Sequence, residues 1–260
     1  TFVADTVANI TSINKISNSE VTMASASITV TDAAGTPITA ANLSVIGGAT
    51  TAAVTVNNAV NITGNHDELI SALYTSDTKV YLGGGENDAS VIINDADGVA
   101  ITASELSAIG GQTNSTVILS NAVNISGTTD QLIAALITTS TKVTASTANI
   151  NFTDTPTDSQ FEAIDAVTTG TIALPTNGNN FTVTDTSISA GTLISLNNQY
   201  SGIVDASAVT TITGTAAEIT TVYSASGITS LGDESVTVTD AVTKANADTI
   251  NAYTTGTVTL

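Results

Sequence analysis

Hydrophobic and polar positions alternate along this chain in short bursts, and each burst ends on Asp or Gly. Nine copies can be read: Thr1–Asp5, Ile28–Asp32, Val60–Gly64, Val91–Asp95, Val123–Gly127, Ile150–Asp154, Phe181–Asp185, Thr210–Gly214 and Val236–Asp240. Apolar residues two apart, such as Ile28 and Val30, flank polar ones such as Thr29, the period of a strand with one buried face. The closing residue ends the extended run: Asp bonds downstream amides or caps a helix, and Gly permits a tight turn. A helix-spaced apolar pair follows each burst, among them Leu43/Ile46, Ile70/Leu73, Leu106/Ile109 and Ile219/Val222. A second alternating run, as in Val54/Val56 and Val117/Leu119, closes the unit. The predicted unit is strand, turn, short helix, strand. Helices of one or two turns are too short to stand alone, so packing must hold them.

The closing residues lie 27, 32, 31, 32, 27, 31, 29 and 26 positions apart. A period in this range marks a stacked repeat array. The expectation is a β-rich solenoid: a single array over residues 1–260 of about nine parallel coils, each about 29 residues long with two short strands and a short helix or turn. The third residue of each burst, from Val3 and Val30 through Val238, is expected to form one continuous buried ladder. Residues 28–80 match 91–143 at a constant offset of 63, with 28 of 53 positions identical, so a 63-residue coil pair is duplicated. A weaker echo at offset 86 relates Thr168–Thr171 to Thr254–Thr257. Stacked strands about 4.8 Å apart would give nine coils a length of roughly 40 Å.

Composition narrows the function. Thr accounts for 50 residues, and four Lys without Arg face 23 acids, for a net charge of -19. Such a surface repels nucleic acid and anionic lipid, attracts divalent cations and suits salty surroundings. Cys is absent, and no apolar run is long enough for a membrane span, so no membrane insertion is expected. Both ends fall inside repeat units without capping features, which reads as a processed or excised segment whose ends would stack on copies of itself or on neighbouring repeats.

Chemistry has few candidates. Without Cys and with one His, His66, nucleophilic catalysis lacks parts. The carboxylate pairs Asp95/Asp97, Asp154/Asp158 and Asp233/Glu234 lack the aromatic platforms of a sugar cleft, and the chain is expected not to be an enzyme. Calcium is the leading site hypothesis. Residues 83–88 (GGGEND) resemble one copy of the repeats-in-toxin nonapeptide, and 94–98 (NDADG) the middle of an EF-hand loop. The EF-hand pattern fails at Ile93 and Ser104, where its first Asp and bidentate Glu belong. Two neighbouring turns could still pool oxygens, with Glu86, Asp88, Asp95 and Asp97 as the metal ligands. The pairs Thr29/Thr31, Thr182/Thr184, Thr211/Thr213 and Thr237/Thr239 suggest an ice-binding rank, interrupted at Asn61/Thr63, Ile92/Asn94 and Asn124/Ser126.

The phrases ITVTDAAGTPITAANLSVIGG (28–48), ITGTAAEITTVYSASGITSLGDESVTVTDA (212–241) and NADTINAYTTGTVTL (246–260) resemble repeats of very large, acidic, Thr/Ala/Val-rich bacterial cell-surface proteins, particularly of marine cyanobacteria. The resemblance covers most of residues 28–260 and implies an extracellular location and a structural role, as a surface layer (S-layer), coat, stalk or filament segment. The alternative is a calcium-dependent adhesin, or a face that binds carbohydrate or ice.

Overall fold

The computed structural model describes residues 2–15, 23–75, 79–83, 88–140, 142–175, 181–200 and 202–260. The protein is α/β and shows, among the described residues, several parallel sheets, nine α-helices and no closed barrel. Among the described residues helical positions outnumber those in strands, so the repeated strand-helix units are α/β rather than β-rich. The helix-spaced apolar pairs seat helices of up to ten residues, most of them closed at the start by an N-cap side chain. Two compact units divide the chain: Thr1–Ile150 with Val167–Gly170, and Asn151–Ala166 with Thr171–Leu260.

The first unit opens with β1 (Phe2–Asp5), α1 (Val7–Lys15), β2 (Ser27–Val30), β3 (Pro37–Thr39), α2 (Ala40–Gly48), β4 (Val54–Val56) and β5 (Asn61–Gly64). Next come α3 (His66–Leu69), which runs into a π-helical turn at Ile70–Tyr74, then β6 (Val80–Leu82), β7 (Ser90–Ile93) and β8 (Ala100–Thr102). The sequence continues through α4 (Ala103–Gly110), β9 (Val117–Leu119), β10 (Asn124–Gly127), α5 (Thr129–Leu136), β11 (Val143–Thr144) and β12 (Asn149–Phe152), whose last two residues are counted with the second unit. One sheet orders β1-β2-β4-β6 and another β3-β5-β7-β9-β11, while β8 pairs β10.

The duplicated segments repeat element for element. The series β2-β3-α2-β4-β5-α3-β6 recurs as β7-β8-α4-β9-β10-α5-β11. Pairing recurs with it: Ile28 opposite Val54 becomes Val91 opposite Val117, and Ile38 opposite Ile62 becomes Ile101 opposite Ile125. The second block does not re-enter the same sheets, however. Its first strand, β7, pairs with β9 of its own block and with β5, a second-sheet strand of the block before. Each block therefore steps over by one sheet.

That step corrects the single-ladder expectation. Eight of the nine third residues are buried and Val3 is half-buried. Yet Ile62 pairs Val91 and Ile93 pairs Gly64, so successive bursts are displaced by two residues rather than stacked in line. The step also explains the long mean period. In-block partners such as Ile38 and Ile62 lie 24 residues apart, while the strand that follows the first burst of each block, β3 or β8, lengthens the step to the next burst.

The second unit continues with α6 (Asp158–Asp165), β13 (Ile172–Ala173), β14 (Phe181–Thr182), β15 (Ser187–Ser189), α7 (Ala190–Gln199), β16 (Val204–Asp205) and β17 (Thr211–Gly214). It ends with α8 (Ala216–Ser224), β18 (Ile228–Thr229), β19 (Ser235–Val238), α9 (Lys244–Tyr253) and β20 (Val258–Thr259). The sheets β14-β16-β18 and β15-β17-β19-β20 make β14-β15-α7-β16-β17-α8-β18 a third copy of the block. Interiors are apolar in both units, with Leu43, Ile62, Leu106, Phe161, Leu193 and Ile219 fully buried.

Candidate functional site

In six of the nine bursts the closing Asp or Gly stands opposite the first residue of the preceding helix. Gly64, Gly127 and Gly214 face Ala40, Ala103 and Ala190, where an added Cβ would come within 2.8, 2.9 and 2.7 Å of the alanine Cβ. These strands lead straight into their own helices, and no side chain fits between the two helix starts. Asp32, Asp95 and Asp240 open blocks instead. Their carboxylates accept the first-turn amides of Val7 (2.7 Å), His66 (2.7 Å) and Ala216 (2.8 Å). Each such Asp satisfies an orphan donor and places negative charge at a helix N-terminus. Capping boxes complete several starts, such as Asn65 with Glu68, Thr102 with Glu105 and Thr215 with Glu218. In the last of these, the Thr215 amide and hydroxyl hold the Glu218 carboxyl below its usual range.

A second recurring station follows α2, α4, α6 and α9 in the sequence. The buried hydroxyls of Thr50, Thr113, Thr168 and Thr254 donate to the carbonyls of Ala26, Ala89, Ala148 and Glu234. Each also accepts from the amide two residues on, at Ala52, Ser115, Gly170 and Gly256. The echo at offset 86 is this station. Asn58 and Asn121 form a third, donating to the carbonyls of Asp32 and Asp95.

Of the four expected calcium ligands, three lie among the described residues, each held by its own hydrogen-bond partners. Glu86 lies outside the described residues. Asp88 accepts from the amide and side chain of Asn114, both at 2.8 Å. Asp95 accepts from the His66 amide and lies 2.8 Å from His66 Nδ1. Asp97 accepts from the Ala122 amide at 2.8 Å. Among the described residues no three His, Cys, Asp or Glu side chains gather to hold a metal ion.

His66 is not the free surface ring that its position suggests. Its ring sits between Asp95 and the Asp67 carboxylate, which is 3.5 Å from Nε2. Two acceptors flank it, rather than an acceptor and a nucleophilic hydroxyl.

Two other buried carboxylates stand out. Asp158, 1 % exposed, accepts the amides of Thr184 and Asp185 on Oδ2, while Oδ1 has no hydrogen-bond partner. Burial pushes its carboxyl above the usual range, aided by the charges of Asp185 and Glu162. Glu234, also 1 % exposed, accepts from Tyr223 Oη at 2.9 Å and from the Gly232 amide. The repeat pattern does not mark either pair, although Asp158 and Glu234 appear among the sequence's carboxylate pairs.

A groove of about 480 Å³ is lined by Tyr74, Ser104, Ser107, Gln112 and Gln131, with the Tyr74 side chain largely exposed. In the second unit, hydroxyl residues align across strands: Ser187, Thr211 and Ser235 in one rank, Ser189, Thr213 and Thr237 in the next. Thr239 falls outside these ranks, being beyond β19. Comparison with protein-family profiles, with curated proteins and with solved structures finds no match to this chain.

Proposed function

We propose that each unit is a solenoid stack and that the protein is a structural component of an extracellular surface, a stalk, coat or fibre segment built by repeat stacking. One observation carries this reading. The polar side chains that recur with the repeat (closing Asp, post-helix Thr, Asn) reach across to backbone groups of the neighbouring coil. Chemistry placed in this way holds coils in register. Edge strands such as β1 and β20 keep one side free of described partners, a template for copies of the chain or further repeats end to end. The acidic surface opposes side-by-side packing, so association should be lengthwise and favoured by salt or divalent ions.

Antibody labelling of intact source cells tests the location, with envelope fractionation beside it. Labelling that appears only after permeabilisation removes the surface role. Small-angle scattering across protein and salt concentration tests the assembly. Particles that stay monomeric at high salt would sink end-to-end growth.

The second reading is a ligand-binding face for carbohydrate or ice. It is favoured by the paired hydroxyl ranks of β15, β17 and β19 and by the Tyr74 groove. Glycan-array binding or thermal hysteresis would support it. A calcium-dependent adhesin predicts a melting temperature that rises with millimolar calcium and falls back with chelator.

A further inference from the structure

Helices α8 and α9 carry the one pair of stacked aromatic rings among the described residues. Tyr223 and Tyr253 lie with centroids 5.1 Å apart and planes 5° from parallel. The other close aromatic pair, Phe181 and Tyr200, meets edge to face and holds a single phenol. Both stacked rings are half-buried, whereas Tyr74 and Tyr81 stand 58 % and 59 % exposed. The Tyr223 hydroxyl points at Glu234 Oε2, 2.9 Å away. Glu234 is otherwise contacted by the Gly232 amide, a donor, so its carboxylate is a fixed acceptor facing the phenol.

We infer that Tyr223 and Tyr253 form an oxidative cross-linking site, at which a one-electron oxidant joins α8 to α9 through a dityrosine bond. The oxidant class is a haem peroxidase fed by peroxide, or a photogenerated metal complex. Each ring gives one electron to the oxidant and its hydroxyl proton to a base, which is Glu234 for Tyr223 and solvent for Tyr253. The two phenoxyl radicals pair their electrons in a new carbon–carbon bond between positions ortho to the hydroxyls. The ortho protons then leave, aromaticity returns and the hydroxyls are reprotonated. In sum, two electrons pass to the oxidant and two protons to solvent.

Three features of the site favour this outcome. Stacking places the partner ring within reach before either radical forms, so coupling does not wait for diffusion. Half-burial keeps a second chain's ring away, which makes the link intramolecular. Burial and the Glu234 carboxylate raise the Tyr223 phenol, so at rest the proton stays on the ring and departs together with the electron. The link would join two successive helices of the second unit covalently in a protein without cysteine. This inference does not depend on the scaffold reading.

The test is photo-oxidation of the full chain with ruthenium tris-bipyridyl and persulfate, followed by dityrosine fluorescence and peptide mass mapping. The expected product is a linked peptide pair containing Tyr223 and Tyr253, two hydrogens lighter than the sum of its parts. Its yield should be independent of protein concentration, and it should be lost in Tyr253→Phe. In Glu234→Gln, checked for folding by circular dichroism, its initial rate should fall about tenfold or more. A slower wild-type reaction in deuterated water would show that proton loss accompanies electron loss, and the variant then assigns the acceptor. Products confined to Tyr74 and Tyr81, with yields that grow with concentration, would overturn the site. A wild-type rate in folded Glu234→Gln, or no solvent isotope effect, would overturn the assignment of Glu234 as proton acceptor.

Discussion

Replacing Gly127 by Ala tests the reading of the closing position directly. The new Cβ would stand 2.9 Å from the Ala103 Cβ and 3.3 Å from the Gln131 side chain. Carbon contacts are comfortable at about 3.5–4.0 Å, so the overlap is most of an ångström. Ala103 is fully buried at the start of α4 and has no rotamer with which to yield. The backbone must move, at an overpacking cost of about 1–3 kcal/mol. Gly127 has an ordinary φ, so Ala also gains about 0.4–1 kcal/mol by restricting the unfolded chain. The net expectation is a loss of about 1–2 kcal/mol. Urea unfolding followed by circular dichroism reads it as a lower midpoint with unchanged slope. Ala103→Gly removes the opposing Cβ for less than about 1 kcal/mol, and the double variant should be more stable than the sum of the two singles. If Gly127→Ala matches or exceeds the parent, or the two changes add independently, the steric account is wrong.

Other consequences follow from neighbouring stations. Asp240→Ala removes the acceptor of the Ala216 amide and should lower stability by about 1 kcal/mol, with amide exchange rising first at the start of α8. Thr254→Val keeps shape but leaves the Glu234 carbonyl and Gly256 amide without their hydroxyl partner, for a loss of about 1–3 kcal/mol in the same urea assay. Asp158 has a folded pKa raised above the ordinary 3.8 by burial, so the folded state binds its proton more tightly than the unfolded one. Its contribution to stability is therefore fully present below that value and is lost as pH rises through the raised one. Asp158→Asn should be more stable than the parent at neutral pH, the difference closing under acid. A difference that stays constant across the titration would refute this.

Much of the fold was legible because stacking fixes length. The gapless offset between residues 28–80 and 91–143 corresponds to two blocks with matching elements and pairings. The third block carries no such offset because its connections are shorter. β15 starts six residues after Phe181, where β3 starts ten after Ser27, and no constant offset survives. The signal that remained was the order of closing residues, Asp185 then Gly214, as in Asp32 then Gly64. The step between sheets was not legible, since a strand with two candidate neighbours shows the same alternation whichever it pairs with. At the site level, sequence singled out Asp95 and Asp97 for their charge, but their partners lie 25 to 29 residues away in neighbouring repeats and only the fold supplies them. The stacking of Tyr223 on Tyr253 was equally hidden, because 30 residues of chain separate two rings that adjacent helices bring together.

The sheet-to-sheet step has a consequence for how such a gene can change length. β7 presents to β5 the kind of edge that β2 presents to β1, so a block ends in the shape with which it begins. Recombination between the 63-residue copies, in phase, would insert or remove a block and leave every interface intact. Recombination out of phase by a single coil would bring an Asp side chain to a helix start that has room only for Gly, as at Ala40 and Ala103. The genetic quantum of this protein is therefore the block rather than the coil, and length variants are expected to differ by whole blocks.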